Sequence, residues 1–312
     1  MEHMTPTRMP LTTASAVTFT YALGYPVGNI AVHAMSPMAI LVFRFGLAAA
    51  ILGTWAHLSG VQWPRGRRLG HVVVTGLLMQ AVQFCALYLA IQRGAPAVLC
   101  AVVIAMNPVA TALLGAAFLR HRLGGWRLVA LALGVAAVLA ACASRLIAQR
   151  GVDPVVLLLV VALLGLAAGG VYQQRFCADV DFRATSALQN ATALLPAVIL
   201  TILTPFAVHD PVKAAVAVTA VVLLNSTLAV ALYVRAINLH GAAAVSMLFC
   251  VIPAVAGVLS WLALREHIDV GIAVGLVLGA LACWLNAKSA KSSVKRSAPS
   301  QVEAVHQPAV TR

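Results

Sequence analysis

Apolar residues form long runs along this chain, and short polar segments separate one run from the next. The runs show no stripe of polar residues, so helices built from them would have no face suited to water. Most runs approach the roughly 20 residues that a helix needs to cross a bilayer. The pattern therefore predicts an all-α integral membrane protein with ten transmembrane helices. The predicted spans are 14–33, 37–57, 70–91, 95–119, 125–143, 154–172, 184–204, 213–235, 241–264 and 267–287.

The segment 86–134 occurs a second time, 145 residues later, as 231–279. An Ala-Leu-Tyr sequence opens both copies, and Pro108 of the first copy corresponds to Pro253 of the second. A shared apolar composition would not keep one register over both segments. The chain is therefore an internal duplication.

Each copy would contain five helices, and an odd number makes the second copy enter the membrane upside down. The prediction is two inverted five-helix repeats, a pattern typical of secondary transporters whose halves meet around a midplane site. The predicted domains are a cytoplasmic amino-terminal segment 1–13, a first repeat 14–143, a linker 144–153, a second repeat 154–287 and a disordered basic cytoplasmic tail 288–312.

The net charge of +13 comes from basic residues that lie between the apolar runs and in the tail. Most of them fall in segments that are cytoplasmic if the amino terminus is cytoplasmic, as expected for an inner-membrane protein. We therefore expect both termini in the cytoplasm and no nucleic-acid partner.

All eight acidic residues lie in loops, tails or helix ends, and none is near the middle of a predicted span. The sequence thus lacks an obvious buried carboxylate for a proton or sodium relay. It also lacks the short motifs of metalloproteases, serine hydrolases and phosphate-binding loops. We expect no catalytic residue, metal or cofactor, and a protein that is not an enzyme.

Amide and tyrosine side chains occur at equivalent positions of the two copies. Gln80 corresponds to Asn225 near mid-span, Tyr88 corresponds to Tyr233, and Gln83 lies one turn from Gln80. Buried polar groups in a bilayer are costly, so these residues are candidate substrate contacts. Hydrogen bonding between helices, worth about 1 kcal/mol, is an equally good interpretation.

The two corresponding prolines fall inside predicted helices. Pro108 and Pro253 each remove an internal hydrogen bond and should interrupt the helix one turn earlier. A static kink would explain them, and so would a break that lines a cavity. Asn107 favours the cavity in the first copy, whereas its counterpart Ile252 does not.

Arg44 is the one charged residue well inside an apolar run, and it corresponds to Gln189. A lone arginine there costs at least about 2.5 kcal/mol unless it is paired or hydrated. It could bind a substrate carboxylate through two hydrogen bonds, or brace helix ends through backbone carbonyls. The sequence alone leads us to favour bracing.

Glycines at four-residue spacing follow one face of the last predicted helix, at Gly271, Gly275 and Gly279. Such a strip lets another helix approach closely. Packing within one protomer is the favoured use, with dimerisation as the alternative, so we expect a monomer.

Taken together, these features resemble the EamA-type branch of the drug/metabolite transporter superfamily. The resemblance rests on Phe43-Arg44-Phe45, the two Ala-Leu-Tyr openings, the two prolines, and Leu264-Arg265-Glu266 before the last helix. His121 stands where that family usually has a glutamate, and Arg265 where a glycine is common. The resemblance implies ten helices, a central cavity, no cofactor, and export of small metabolites, often amino acids, by alternating access.

The expected function is secondary, non-ATP export of a small neutral or zwitterionic metabolite, such as an amino acid, across the inner membrane. The partners would be this solute and the lipid bilayer. The expected site is uncharged, with Met106, Met247 and Phe249 beside the amides and tyrosines. The alternatives are efflux of lipophilic drugs, or a structural or receptor-like membrane protein without transport.

Overall fold

The computed structural model describes residues 9–119, 125–141, 143, 147, 153–265 and 270–297. Over these ranges the chain consists of helices joined by short turns, with one isolated antiparallel bridge between Met35 and Val208. The helices are α1 (Leu11–Ala34), α2 (Pro37–Leu58), α3 (Arg67–Gln92), α4 (Ala97–Ile104), α5 (Asn107–Leu119), α6 (Gly125–Ala141), α7 (Pro154–Phe176), α8 (Phe182–Leu203), α9 (Pro211–His240), α10 (Ala242–Ser246), α11 (Ile252–Leu264) and α12 (Val270–Ser297).

Several of the described helices are long and apolar enough to cross a bilayer. Six candidate spans meet this condition, namely α2, α3, the segment Ala97–Ala117, α7, α8 and α9. A seventh is formed if Ala242–Cys250 and Ile252–Ala263, bent by 41°, make one broken span. The protein is therefore a multi-pass membrane protein. Each predicted span overlaps a described helix, but the crossing of a membrane by all ten stays a prediction.

Helix α12 continues through Ser297 and so extends past the predicted start of the disordered tail at residue 288. Lysine and arginine, which make up four of the ten residues 288–297, have high helix propensity. The helix therefore continues after the apolar run ends, through the first ten residues of the predicted tail. Residues 1–8 of the predicted amino-terminal segment, residues 298–312 of the predicted tail and most of the linker 144–153 lie outside the described residues.

Several helix boundaries repeat with the same offset of 145 as the sequence. Helix α2 begins and ends 145 residues before α8, and α5 does so before α11. Helices α3 and α9 each contain a π-helical segment at the equivalent place, Leu77–Val82 in α3 and Val221–Ala229 in α9. The duplication is therefore visible in the helices as well as in the residues.

Equivalent helices of the two copies also pack against each other. Helix α2 contacts α8 along its length, and α6 contacts α12 in the same way. Helix α1 lies against α9 and α11 of the second copy, while α7 lies against α3 and α5 of the first. The two halves thus exchange their first helices and build one shared core.

Aspartates begin three helices of the second half. Asp153, Asp181 and Asp210 each accept a hydrogen bond from a backbone N–H in the first turn of α7, α8 and α9. These bonds satisfy donors that a helix start leaves free. Two hydrogen bonds from the Arg183 guanidinium hold the pKa of the Asp181 carboxyl below its usual value.

Candidate functional site

A small internal cavity lies where α1, α2 and α3 meet α9, so both halves contribute to it. Its volume is about 20 Å³, which is room for roughly one water molecule. In this conformation the space between the two halves, which polar and apolar side chains line together, is too small for a metabolite. The lining residues are Tyr21, Gly24, Tyr25, Arg44, Gln83, Phe84, Leu87, Tyr88, Ile91 and Asn225.

Arg44 projects from α2 into this cavity and is only 1% exposed. Its guanidinium carbon lies 3.5 Å from the centre of the Phe84 ring, which is a close cation–π contact. The Tyr88 hydroxyl lies within hydrogen-bonding reach of the guanidinium. The side-chain nitrogens Nε and Nη2 are buried and have no hydrogen-bond partner. These two nitrogens therefore do not contribute to the bracing of a helix end that the sequence favoured.

The described carboxylates all lie away from Arg44. Asp179 pairs with Arg68 at 2.9 Å, Asp181 pairs with Arg183 at 2.9 Å, and Asp210 pairs with Lys213 at 3.2 Å. Asp153 caps the start of α7. Within the described ranges, the Arg44 guanidinium therefore has no acidic counter-ion.

The structure brings only part of the predicted amide set to the cavity. Gln83 and Asn225 line it, whereas Gln80 is buried in the same part of α3 but is not a lining residue. The Oε1 atoms of Gln80 and Gln83 have no hydrogen-bond partner. The Asn225 amide donates a long, 3.5 Å hydrogen bond to the Thr20 carbonyl.

The π-helical segments determine how these amides are presented. Gln80 lies within the segment of α3, and Asn225 lies within that of α9. The Gln83 N–H bonds the Leu78 carbonyl and the Val230 N–H bonds the Asn225 carbonyl, each across five residues. Short π-helical insertions occur frequently at functional sites. Neither segment contains a proline or glycine, so the sequence carries no signal for the π-helical turns.

An aromatic cluster connects the cavity to the remaining predicted residues. The ring of Tyr21, which lines the cavity, is 5.3 Å from the rings of both Tyr233 and Phe249. Tyr233 is within hydrogen-bonding reach of Asn107. Asn107 Oδ1 accepts a 3.2 Å hydrogen bond from Thr111, while its Nδ2 has no hydrogen-bond partner. Asn107 and Tyr233 thus lie next to the cavity, behind Tyr21.

Each of the two prolines stands just after an interruption of its candidate span, at the start of the second helical piece. Pro108 is the second residue of α5, after an interruption that follows Ile104, and Pro253 is the second residue of α11. Proline fits the first turn of a helix because the N–H that it lacks is unpaired there anyway. Met106, within the first interruption, faces Gly134 and Gly279, so it packs between α6 and α12 and does not line the cavity.

Gln189 lies outside the cavity, in a hydrogen-bonded network that joins four helices. Its amide nitrogen donates to Thr75 at 2.9 Å and to Gln173 at 3.0 Å. Gln173 donates in turn to Asn238 at 3.0 Å. Although Gln189 and Arg44 are equivalent in the duplication, the first joins helices and the second faces the cavity.

Sequence reasoning missed the contribution of α1. Tyr21 and Tyr25 are one turn apart and both line the cavity, and Gly24 between them lies against the Asn225 amide. The hydroxyl of Tyr88 would lie 3.4 Å from a Cβ at Gly28. The spacing of the two tyrosines and the two glycines, each at four residues, was the available signal for a close-packed polar face.

Comparison with known proteins gives one family and a set of similar folds. The model of the EamA-like transporter family matches residues 9–142 and again 153–287. A probable amino-acid metabolite efflux pump of Escherichia coli (strain K12) is 28% identical over 185 residues, which are 59% of this chain and 59% of that protein. A crystal structure of a protein with 16% identity has a TM-score of 0.63 and covers 89% of this chain and 97% of the other.

The structural likeness shows a shared fold, and the family match confirms the resemblance that the motifs indicated. Because that model accounts for nearly all of the chain, in two successive stretches, the protein belongs to the EamA-like transporter family.

Proposed function

We propose that the protein is a secondary carrier that exports a small neutral or zwitterionic metabolite, such as an amino acid, across the inner membrane. The observation that carries the proposal is the small cavity between the two halves, whose lining includes Arg44, Gln83, Tyr88 and Asn225. Membership of a transporter family supports it. The similarity to a probable amino-acid metabolite efflux pump of Escherichia coli agrees with this substrate class.

The proposed mechanism is alternating access around this cavity. A cavity of about 20 Å³ cannot hold an amino acid, so the solute enters when α1 separates from the helices that close the cavity. The contact of Gly24 with Asn225 forms one side of the closure, and that of Gly28 with Tyr88 forms another. Glycine at both contacts allows a close approach that breaks no strong bond on opening.

We further propose ten membrane crossings arranged as two inverted repeats, with both termini cytoplasmic. The constant offset of the helix boundaries, the exchanged first helices and the two successive family matches support the repeats. A reporter fused after residue 290 should be cytoplasmic, and one inserted near residue 149 should be periplasmic. Finding both reporters on one side would contradict five crossings in the second half.

Transport itself is tested with the purified protein in liposomes. Radiolabelled amino acids should show saturable counterflow, which empty liposomes lack. Unlabelled amino acids should compete for it, whereas lipophilic dyes should not. Saturable dye transport that amino acids fail to inhibit would favour the drug-efflux alternative. The absence of any saturable flux across a broad metabolite panel would favour a membrane protein without transport.

The proposed substrate contacts are Gln83, Tyr88 and Asn225 at the cavity, with Gln80, Asn107 and Tyr233 reached as the cavity enlarges. Asn225→Ala and Gln80→Ala should each weaken apparent affinity several-fold, by about 1 kcal/mol, and leave the melting temperature in detergent nearly unchanged. Thr192→Ala provides a control, because that hydroxyl bonds its own helix at Leu188. Lower stability with unchanged affinity would mean that the amides only join helices.

A further inference from the structure

We infer that Arg44 is the binding group for a single carboxylate of the transported solute. The inference rests on the proposed function and adds the chemical group that the site recognises. It differs from the bracing role that the sequence favoured. It follows from the position and contacts of the Arg44 side chain and from its two nitrogens without a hydrogen-bond partner.

The first argument is the missing counter-ion. Arg44 is 1% exposed, and the four described carboxylates are engaged elsewhere, three of them in ion pairs with other residues. An unpaired charge in the membrane interior is retained where it has a functional partner. Cation–π contact with Phe84 compensates only part of the lost hydration. An anion supplied by the solute would complete the compensation.

The second argument is the shape of the free part of the guanidinium. The guanidinium carbon lies 3.5 Å from the centre of the Phe84 ring, and two of the three side-chain nitrogens have no hydrogen-bond partner. The two unpartnered nitrogens are Nε and Nη2, which point their N–H bonds to the same side of the group. This pair matches the two oxygens of a carboxylate and forms two parallel charge-assisted hydrogen bonds.

The third argument comes from the charge and polarity of the other residues that line the cavity. Among the described residues, no other arginine or lysine lines the cavity, so one monovalent anion balances its charge, whereas a phosphate dianion would leave an uncompensated negative charge. Gln83 Oε1 is unpartnered, and three tyrosines also line the cavity, so polar groups remain for the rest of the solute. The arrangement therefore suits a solute whose single carboxylate is held at Arg44.

The test compares benzoate with benzamide, which differ only in the carboxylate. Their affinities for the purified protein are measured by thermal shift in lipid nanodiscs, without any need for transport. Wild-type protein should bind benzoate at least about 10-fold more tightly than benzamide. Arg44→Gln should remove the preference. Arg44→Lys should keep only part of it, because an ammonium group cannot form the paired bonds.

Arg68→Gln is the matched control, because Arg68 is an exposed arginine outside the cavity; this variant should keep the full preference. Equal affinity of wild-type protein for the two probes, or a benzoate preference that survives in Arg44→Gln, would overturn the inference. If Arg44→Gln fails to fold, the wild-type and Arg44→Lys measurements still decide.

Failure of this inference differs from failure of the proposed function. Normal amino-acid counterflow that the corresponding amino-acid amides inhibit equally well would refute carboxylate recognition and leave transport intact. A benzoate preference that depends on Arg44, in a protein without any flux, would support the carboxylate site and refute the carrier.

Discussion

Replacing Gln189 with alanine should lower the stability of the protein and leave its affinity for solute unchanged. Gln189 is fully buried, and its amide nitrogen donates to Thr75 and Gln173 at 2.9 and 3.0 Å. Hydrogen bonds between membrane helices contribute about 0.6 kcal/mol on average and up to about 1.7. The loss of two such bonds, which leaves Gln173 Oε1 without its donor, should cost about 1–3 kcal/mol.

The assay is thermal melting in detergent combined with counterflow kinetics on the same preparations. The loss corresponds to a fall in melting temperature of roughly 2–10 °C. Gln92→Ala is the matched control, because Gln92 is an exposed glutamine at the end of α3. The melting temperature of this variant should equal that of the wild-type protein. In both variants the half-saturation constant should equal that of the wild-type protein.

A double-mutant cycle tests whether Gln189 stabilises the protein through its hydrogen bond to Gln173. If Gln189 stabilises the protein through Gln173, the variant lacking both side chains should lose less stability than the two single losses added together. A Gln189→Ala protein that melts like the wild type but binds solute several-fold more weakly would refute the network interpretation. It would make Gln189 a substrate contact.

Three other predictions concern different parts of the molecule. Gly24→Ala should reduce transport by displacing the Asn225 amide, whereas Gly53→Ala, which adds a methyl group in open space, should transport normally; equal flux in the two variants would contradict the proposed closure. Because the folded-state pKa of Asp181 is depressed, its contribution to stability is present above the unfolded value and is lost as the pH falls below about 4. Asp181→Asn should therefore weaken the acid dependence of the melting temperature; an unchanged dependence would contradict this. Since the described carboxylates lie at helix ends or in turns, counterflow should survive dissipation of the pH gradient at constant membrane potential. Loss of counterflow under that condition would reveal a proton-coupling group.

The sequence predicted the positions of the helices and the duplication because both leave a direct signal in the chain. Apolar runs mark helices for any protein in a bilayer, and one offset of 145 residues relates Pro108 to Pro253 by residue number alone. The end of α12 could not be placed in the same way, because its last residues form helix from backbone propensity without an apolar run.

The side of each helix that points into the protein was much less predictable from the sequence. A helix that is apolar all round gives no periodicity from which to assign its inner face, so the contribution of Tyr21 and Tyr25 was missed. The different surroundings of Arg44 and Gln189 depend on neighbours from other helices, such as Phe84 and Gln173. A sequence position cannot give such neighbours, even when the duplication correctly pairs the two residues.

The two π-helical segments also control the angular phase of the helices that contain them. A π-helical turn accommodates an extra residue, and one residue corresponds to about 100° of rotation in an α-helix. The segment in α3 therefore sets the direction of Tyr88 relative to Gln80, and the segment in α9 does the same for Tyr233 relative to Asn225. Both copies carry this phase shift at equivalent places, so each pair of polar residues is oriented by the same irregularity of its helix.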